Sequence, residues 1–212
     1  DKRLDHLIAE IKRYFSPNGT ILVPAFSYSS TKNEEFDLIK TASEVGLFSE
    51  RFRIGDDIKR SMHPIFSFST WGECANDFLN LSNVDCFGPG TLFEMALKRD
   101  VKLIALGCDF NTLTYVHYVE QLMKVSYRYF KTFDGSIRSS QGITKVETSY
   151  YVRDTSLKTE CNLDRLMATA YEQGLLKVAT IGRFPLRMIS CANFTRLGVE
   201  LINQDENALI EA

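Results

Sequence analysis

Thr114, His117 and Glu120 stand at three-residue steps within Asn111-Thr112-Leu113-Thr114-Tyr115-Val116-His117-Tyr118-Val119-Glu120. On a helix, residues three apart are surface neighbours, so a hydroxyl, an imidazole and a carboxylate would share one stripe. A carboxylate beside an imidazole fixes the ring's tautomer and raises its basicity, which is the arrangement a general base needs. Histidine is scarce, His6, His63 and His117 being the three in 212 residues, so one set beside an acid invites a chemical reading. The same stripe also reads as a solvated helix face, because titratable groups pair for structural reasons as well.

The elements around the stripe point to an α/β protein. Val101-Lys102-Leu103-Ile104-Ala105-Leu106-Gly107 is short, apolar and ended by glycine, and reads as the clearest central strand. Leu113, Val116, Val119 and Met123 then give a helix its core face, leaving His117 and Glu120 along a boundary. Sites of open α/β sheets lie there, just beyond the carboxyl end of a strand. Upstream, Asp1 to Tyr14 is an amphipathic helix through Leu4, Leu7, Ile8 and Ile11, and Thr20 to Val23 is a buried strand. Phe26 to Lys40 reads as a long loop, Ser43 to Phe52 as a short helix, Ile65 to Trp71 as a strand and Glu73 to Leu81 as helical. Cys86-Phe87-Gly88-Pro89-Gly90 is a tight turn before a helix from Thr91 to Arg99. Downstream, Tyr127 to Phe133, Thr144 to Val152 and Lys177 to Ile181 look strand-like, and Leu163 to Gln173 and Ala192 to Ile202 helical. With no repeat or linker, residues 1–212 are expected to form a single domain with lobes, a central mixed β-sheet flanked by helices.

Composition narrows the function. With 44% hydrophobic residues the chain can bury a core, and 25 basic against 27 acidic residues give a net charge of −2, without the basic field of a nucleic-acid binder. No apolar run approaches the roughly 20 residues that span a bilayer, and no signal segment opens the chain, so neither nucleic acid nor membrane is an expected partner and a cytoplasmic location follows. Cys74, Cys86, Cys108, Cys161 and Cys191 are odd in number and contain no C-x-x-C pair, so reduced, mostly buried thiols are expected. No H-x-x-x-H spacing supports a metal, and none is expected. The first residue is Asp1 and the chain opens directly into a helix, which suggests that an N-terminal segment is lacking. The oligomeric state is not readable, and a homo-oligomer is left open.

Three ordered segments, Arg60-Ser61-Met62-His63-Pro64-Ile65-Phe66-Ser67, Cys86-Phe87-Gly88-Pro89-Gly90-Thr91-Leu92-Phe93, and Leu106-Gly107 through His117-Tyr118-Val119-Glu120, together resemble the aminoglycoside 3-N-acetyltransferase family. Ser43-Glu44-Val45-Gly46-Leu47 matches a further family pattern, and the resemblance runs from about Asn18 to Leu201. It implies a CoA-dependent N-acyltransferase whose α/β fold is distinct from that of the GCN5-related acetyltransferases. It further implies His117 as general base, Glu120 as its carboxylate and Thr114 as a hydroxyl near the thioester. Arg60, Ser61, His63, Ser67, Gly88 and Gly90 would then belong to the acetyl-CoA (acyl-CoA) site. The family's initial strand with its His-Ser-Ser-type loop has no counterpart here.

N-acyl transfer from a thioester needs an unprotonated amine, an acceptor for its second proton, and donors for the oxyanion. His117, with an ordinary pKa of roughly 6.5, suits the second task. Thr114, Thr112 and unpaired N–H groups in the helix's first turn suit the third. The favoured scheme is direct transfer in a ternary complex. A competing scheme uses Cys108, in Gly107-Cys108-Asp109-Phe110, as a nucleophile. The resemblance implies an amino-sugar acceptor, with Arg128, Asp154 and Asp164 as candidate substrate-binding residues. An aminoglycoside-type acceptor leads, and a nucleotide-linked amino sugar is the alternative, since Arg128, Lys131, Arg138, Lys145 and Arg153 would suit a pyrophosphate better than a polycation; they also read as a solvated strand edge. An alternative of another class is a non-catalytic acyl-CoA- or sugar-binding module.

Overall fold

The structure, a computed structural model, describes residues 2–211. In chain order the elements are α1 (Lys2–Phe15), β1 (Thr20–Pro24), β2 (Glu35–Asp37), α2 (Leu47–Arg53), β3 (Lys59–Arg60), β4 (Phe68–Gly72), α3 (Leu92–Lys98) and β5 (Lys102–Leu106). They continue with α4 (Val116–Met123), β6 (Arg128–Ser139), β7 (Gly142–Arg153), α5 (Asp164–Glu172), β8 (Lys177–Ile181), β9 (Phe184–Ser190) and α6 (Cys191–Gln204). The mixed α/β class is as expected. The strands form three three-stranded sheets, ordered β1-β4-β3, β2-β6-β7 and β5-β9-β8. No helix among the described residues is long and apolar enough to cross a membrane.

The chain divides into two compact units. One comprises residues 1–86, 90–92 and 132–150. There β1 and β4 pair antiparallel with Val23 opposite Ser69, and β2 pairs parallel with β6 with Phe36 opposite Ile137. Phe26, Phe36, Phe52, Ile65, Phe66 and Phe68 fill its core. The expected loop at 26–40 is partly ordered, with a 3-10 turn at Ser29–Lys32 and the short β2. The helix expected from Ser43 starts only at Leu47, because Gly46 before it has a φ of 115°, outside helical geometry. Residues 73–81 carry only a 3-10 turn, Ala75–Phe78, in place of a helix.

The other unit comprises residues 87–89, 93–131 and 151–212. Antiparallel β9 lies between β5 and β8, with Ile104 opposite Met188 and Ala179 opposite Leu186. Thus β5, expected as a central strand, is an edge of its sheet, and only Ala105 in it is buried. Sequence patterning missed β9, whose second residue is Pro185; proline cannot donate to a ladder and argues against a central strand. Leu163, Leu166, Phe194, Leu197 and Leu209 form the core against which α4 sets Val116 and Val119. Gly198 of α6 lets α4 come close: a Cβ there would lie 2.9 Å from Val119 Cγ1.

Candidate active site

After β5 the chain turns at Gly107, whose φ of 67° favours glycine. Asp109 then accepts a hydrogen bond from the Asn111 N–H at 3.0 Å, and Asn111 Oδ1 accepts one from the Leu163 N–H at 2.7 Å, pinning the loop that leads into α4. The helix starts at Val116, so Thr114 lies in the turn before it and not on the helical stripe; its carbonyl accepts from the His117 N–H at 3.1 Å. The helix's first-turn N–H groups at Val116, His117 and Tyr118 are all bonded to the carbonyls three residues earlier, contrary to expectation. Instead the Thr114 and Tyr115 amides have no partner among the described residues.

His117 and Glu120 do share a face, and His117 Nδ1 lies 2.7 Å from Glu120 Oε2. The expected boundary position holds for the imidazole, whose side chain is 22% exposed, but the carboxylate is only 1% exposed. Burial of this kind demands partners. They arrive because α4 ends at Lys124 in the left-handed conformation, with φ 55°, and the chain reverses into β6. Tyr127 then donates its hydroxyl to Glu120 Oε1 at 3.1 Å, and Arg128 brings Nε to 2.8 Å from Glu120 Oε2 and Nη2 to 2.9 Å from His117 Nδ1. The Nε contact is one of charge, since its N–H is not aimed along it. Phe87, from the Phe-Gly-Pro-Gly turn, packs edge-to-face against the imidazole at 5.6 Å between ring centroids. The ring's Nε2 has no hydrogen-bond partner among the described residues.

These neighbours set protonation. Burial lowers the His117 pKa, the hydrogen bond and charge of Glu120 raise it, Arg128 and Arg153 lower it, and the net is below the ordinary imidazole value. For Glu120, burial acts upward, yet the hydrogen bond and charge of His117, the charge of Arg128 and the Tyr127 hydroxyl outweigh it, leaving the carboxyl below its ordinary range. At neutral pH the pair is therefore a neutral imidazole on an ionised carboxylate.

The other expected residues are placed differently. Arg128, expected as a substrate-binding residue and also read as part of a solvated strand edge, is buried and paired with Glu120, which corrects the solvated-edge reading. Asp154 adjoins the cluster through its backbone, its N–H donating to the Tyr127 carbonyl at 3.1 Å, while its carboxylate accepts from Ser156. Asp164 is exposed at the start of α5, its N–H bonded to Asn162 Oδ1, and makes no contact with the cluster. Cys108 is exposed, where a buried thiol was expected, and it is not a partner of the His117 ring.

The Arg60-to-Ser67 segment, in the other unit, is buried and bonded chiefly to backbone. Arg60 donates to Ser67 Oγ at 3.0 Å and to the carbonyls of Thr41 and Ala25, with its guanidinium 4.6 Å from the Phe36 ring centre. Ser67 donates to the Ala25 carbonyl at 2.7 Å, and Ser61 Oγ accepts from the Phe68 N–H at 2.9 Å. His63 Nδ1 accepts from the Ile65 and Phe66 N–H groups at 3.2 and 3.0 Å, so the neutral ring carries its proton on Nε2 and donates to the Asp85 carbonyl at 3.2 Å. Burial pushes its pKa down to about 4. These four side chains, expected in the acyl-CoA site, clasp a turn. Gly90 takes a φ of 76°, and its carbonyl accepts from the Ser82 N–H at 2.9 Å. Gly88 is buried beside Phe87 in the turn. Tyr127 and Phe87 are contacts that sequence reasoning missed; an aromatic at a strand start or a turn carries no signal separating them from ordinary core.

The mixed α/β fold is one of a known class. The chain is similar in fold to AAC-IIIb, solved in a binary complex with CoASH, at a TM-score of 0.79 and 20% identity over 95% of this chain and 83% of that one. It is also similar to the aminoglycoside acetyltransferase AAC(3)-IVa, at 0.80 and 20% over 100% and 79%. A family model for aminoglycoside 3-N-acetyltransferases matches residues 2–203, and the chain belongs to that family. Among characterised sequences it is 34% identical over 82 residues to an SPbeta prophage-derived aminoglycoside N(3')-acetyltransferase-like protein, YokD, of Bacillus subtilis (strain 168), covering 38% of this chain and 30% of that one. It is 27% identical over 124 residues to aminoglycoside N(3)-acetyltransferase IV of Salmonella sp, covering 57% and 46%. The matched segments thus span less than half the length of either relative.

Proposed function

We propose that this chain carries the catalytic cluster of a CoA-dependent N-acyltransferase that moves an acyl group, such as acetyl, from acyl-CoA to an amino group of an amino sugar. The observation that carries the reading is the free, outward nitrogen of His117 backed by a buried carboxylate. With Nδ1–H donating to Glu120 Oε2, the Nε2 lone pair is left to accept the proton that the amine loses as it attacks the thioester carbon. General-base help of this kind contributes on the order of a hundred- to ten-thousand-fold in rate. The Thr114 hydroxyl and the unpartnered Thr114 and Tyr115 amides are the donors we assign to the oxyanion. The tetrahedral intermediate then collapses with loss of CoA thiolate, in a ternary complex without an acyl-enzyme. The ring has Glu120 and Arg128 as partners and no thiol, which favours this route over one through Cys108.

The names of the structural relatives support the substrate class. AAC(3)-IVa is known in complex with a gentamicin and with apramycin as His-to-Ala variants, and AAC-VIa with sisomicin. A nucleotide-linked acceptor keeps less support than its cations suggested, because Arg128 is buried on Glu120 and Arg138 pairs with Glu35 at 2.6 Å. Asp154, whose backbone adjoins Tyr127, is the acidic residue we place toward the amine. The test is CoA thiol release from acetyl-CoA with a panel of aminoglycosides and nucleotide-linked amino sugars. Acceptor-dependent release is expected with aminoglycosides; CoA binding without release for any amine would contradict the reading and support a binding module.

A further inference from the structure

Arg128 is an arginine with almost no contact with water: its side chain is 4% exposed. Its Nη1 donates to the Tyr151 carbonyl at 3.2 Å, its Nε lies 2.8 Å from Glu120 Oε2, and its Nη2 lies 2.9 Å from His117 Nδ1. Nδ1 holds either a proton or a lone pair, so it bonds to the carboxylate or to the guanidinium, never to both at once. When it carries the proton and donates to Glu120, Arg128 acts on the ring through charge alone.

The geometry points to Arg128 as a positioning residue of this site, whose guanidinium balances the buried Glu120 carboxylate and thereby holds the His117 ring uncharged, with its Nε2 lone pair available. The inference rests on His117 being the base. A lone carboxylate that is 1% exposed would draw a second proton onto the adjoining ring, giving an imidazolium with no lone pair to offer. With the guanidinium present, protonating the ring would instead place a second cation 2.9 Å from the first.

The remaining groups around the ring do not replace this balance. Tyr127 donates to Glu120 Oε1 as a neutral phenol whose pKa is pushed up by burial. Tyr151, also raised by burial, donates its hydroxyl to the Val125 carbonyl. The Cys161 thiol, which senses Glu120, Arg128 and Asp109, is raised by burial to about 12 and stays neutral. Arg153, at the end of β7, is exposed and adds a more weakly acting positive charge. Arg128 is therefore the buried cation of the cluster among the described residues.

The test is an NMR titration of the His117 ring in the free protein, comparing the parent with Arg128→Gln and Arg128→Lys. It needs little assignment, because only three histidines are present. Removing the guanidinium is expected to raise the His117 midpoint by about one pH unit or more, a tenfold change in proton affinity. Lysine, which keeps the charge, is expected to hold it close to the parent. The acid limb of kcat/KM should move with the midpoint. A purely structural role would lower Tm and leave the midpoint in place. Should Arg128→Gln fail to fold, Glu120→Gln is compared with the Glu120→Gln/Arg128→Gln pair, which leaves neither charge buried alone; adding the second substitution is expected to raise the midpoint. An unmoved midpoint in the folded Arg128→Gln variant, or across that second comparison, overturns the inference. The titration uses no substrate, so its failure is distinct from a failure of the general-base reading, which is decided by turnover of a His117 variant.

Discussion

Glu120 Oε2 lies 2.7 Å from His117 Nδ1, and the carboxylate is buried while the imidazole reaches the surface. The pair is thus polarised by depth, with the charge inside and the acceptor nitrogen outside. A carboxylate deprived of water interacts with its neighbours at a lower effective dielectric, so the ring responds to it more strongly than a surface pair would.

Glu120→Gln should separate the fold from the chemistry. The amide oxygen can still accept from Nδ1, but Arg128 loses its buried counter-charge, and breaking such a pair costs about 3–5 kcal/mol. The His117 pKa should fall further, because the upward pull of Glu120 is gone while burial and Arg128 remain. Urea unfolding is expected to show the loss of stability, and the folded fraction should turn over more slowly than the parent. Equal unfolding midpoints would remove the charge pair from the account.

His63 should make the protein acid-sensitive. Its folded pKa of about 4 lies below the roughly 6.5 of an unfolded imidazole, so both states are neutral above pH 6.5 and the contribution is complete there. Between about pH 6.5 and 4 the unfolded chain binds a proton that the folded one refuses, and stability is lost as pH falls. The shift corresponds to about 3 kcal/mol. His63→Ala should be less stable at pH 7.5, because the Ile65 and Phe66 N–H groups lose their acceptor, and its unfolding free energy should fall less between pH 7.5 and 4.5 than that of the parent. An identical pH slope would refute the assignment.

How much of this was legible in the sequence depends on distance along the chain. The helix carrying His117 and Glu120 announced itself through Val116, Val119 and Met123, because a core face repeats locally. Thr114 falls before that helix, and nothing local marks the start at Val116, Tyr115 making no side-chain cap. Arg128 could not be read as buried, since a strand-edge cation and a buried counter-charge have the same letter; only the reversal at Lys124 turns it toward Glu120. The family motif around Arg60 and His63 was visible, but its hydrogen bonds to Ala25, Thr41 and Asp85 are long-range and leave no pattern.

Gly198→Ala tests whether α4 is held in place from behind. The added Cβ would meet Val119 Cγ1 at 2.9 Å, and a β-branched valine inside a helix has little rotamer freedom to yield. Overpacking of this kind costs about 1–3 kcal/mol. Thermal unfolding should show the lower stability, and turnover should fall as α4 shifts, although the residue is remote from the site. Parental Tm and rate would show that the α4 and α6 contact does not fix the position of His117.

The central claim is that His117 takes the proton from the attacking amine, and its most direct measurement is acetyl-CoA thiol release by a folded His117→Ala variant with an aminoglycoside acceptor. The account predicts a fall in kcat on the order of a hundred- to ten-thousand-fold, with parental unfolding behaviour confirming the fold. Turnover near the parental rate in that folded variant would contradict it.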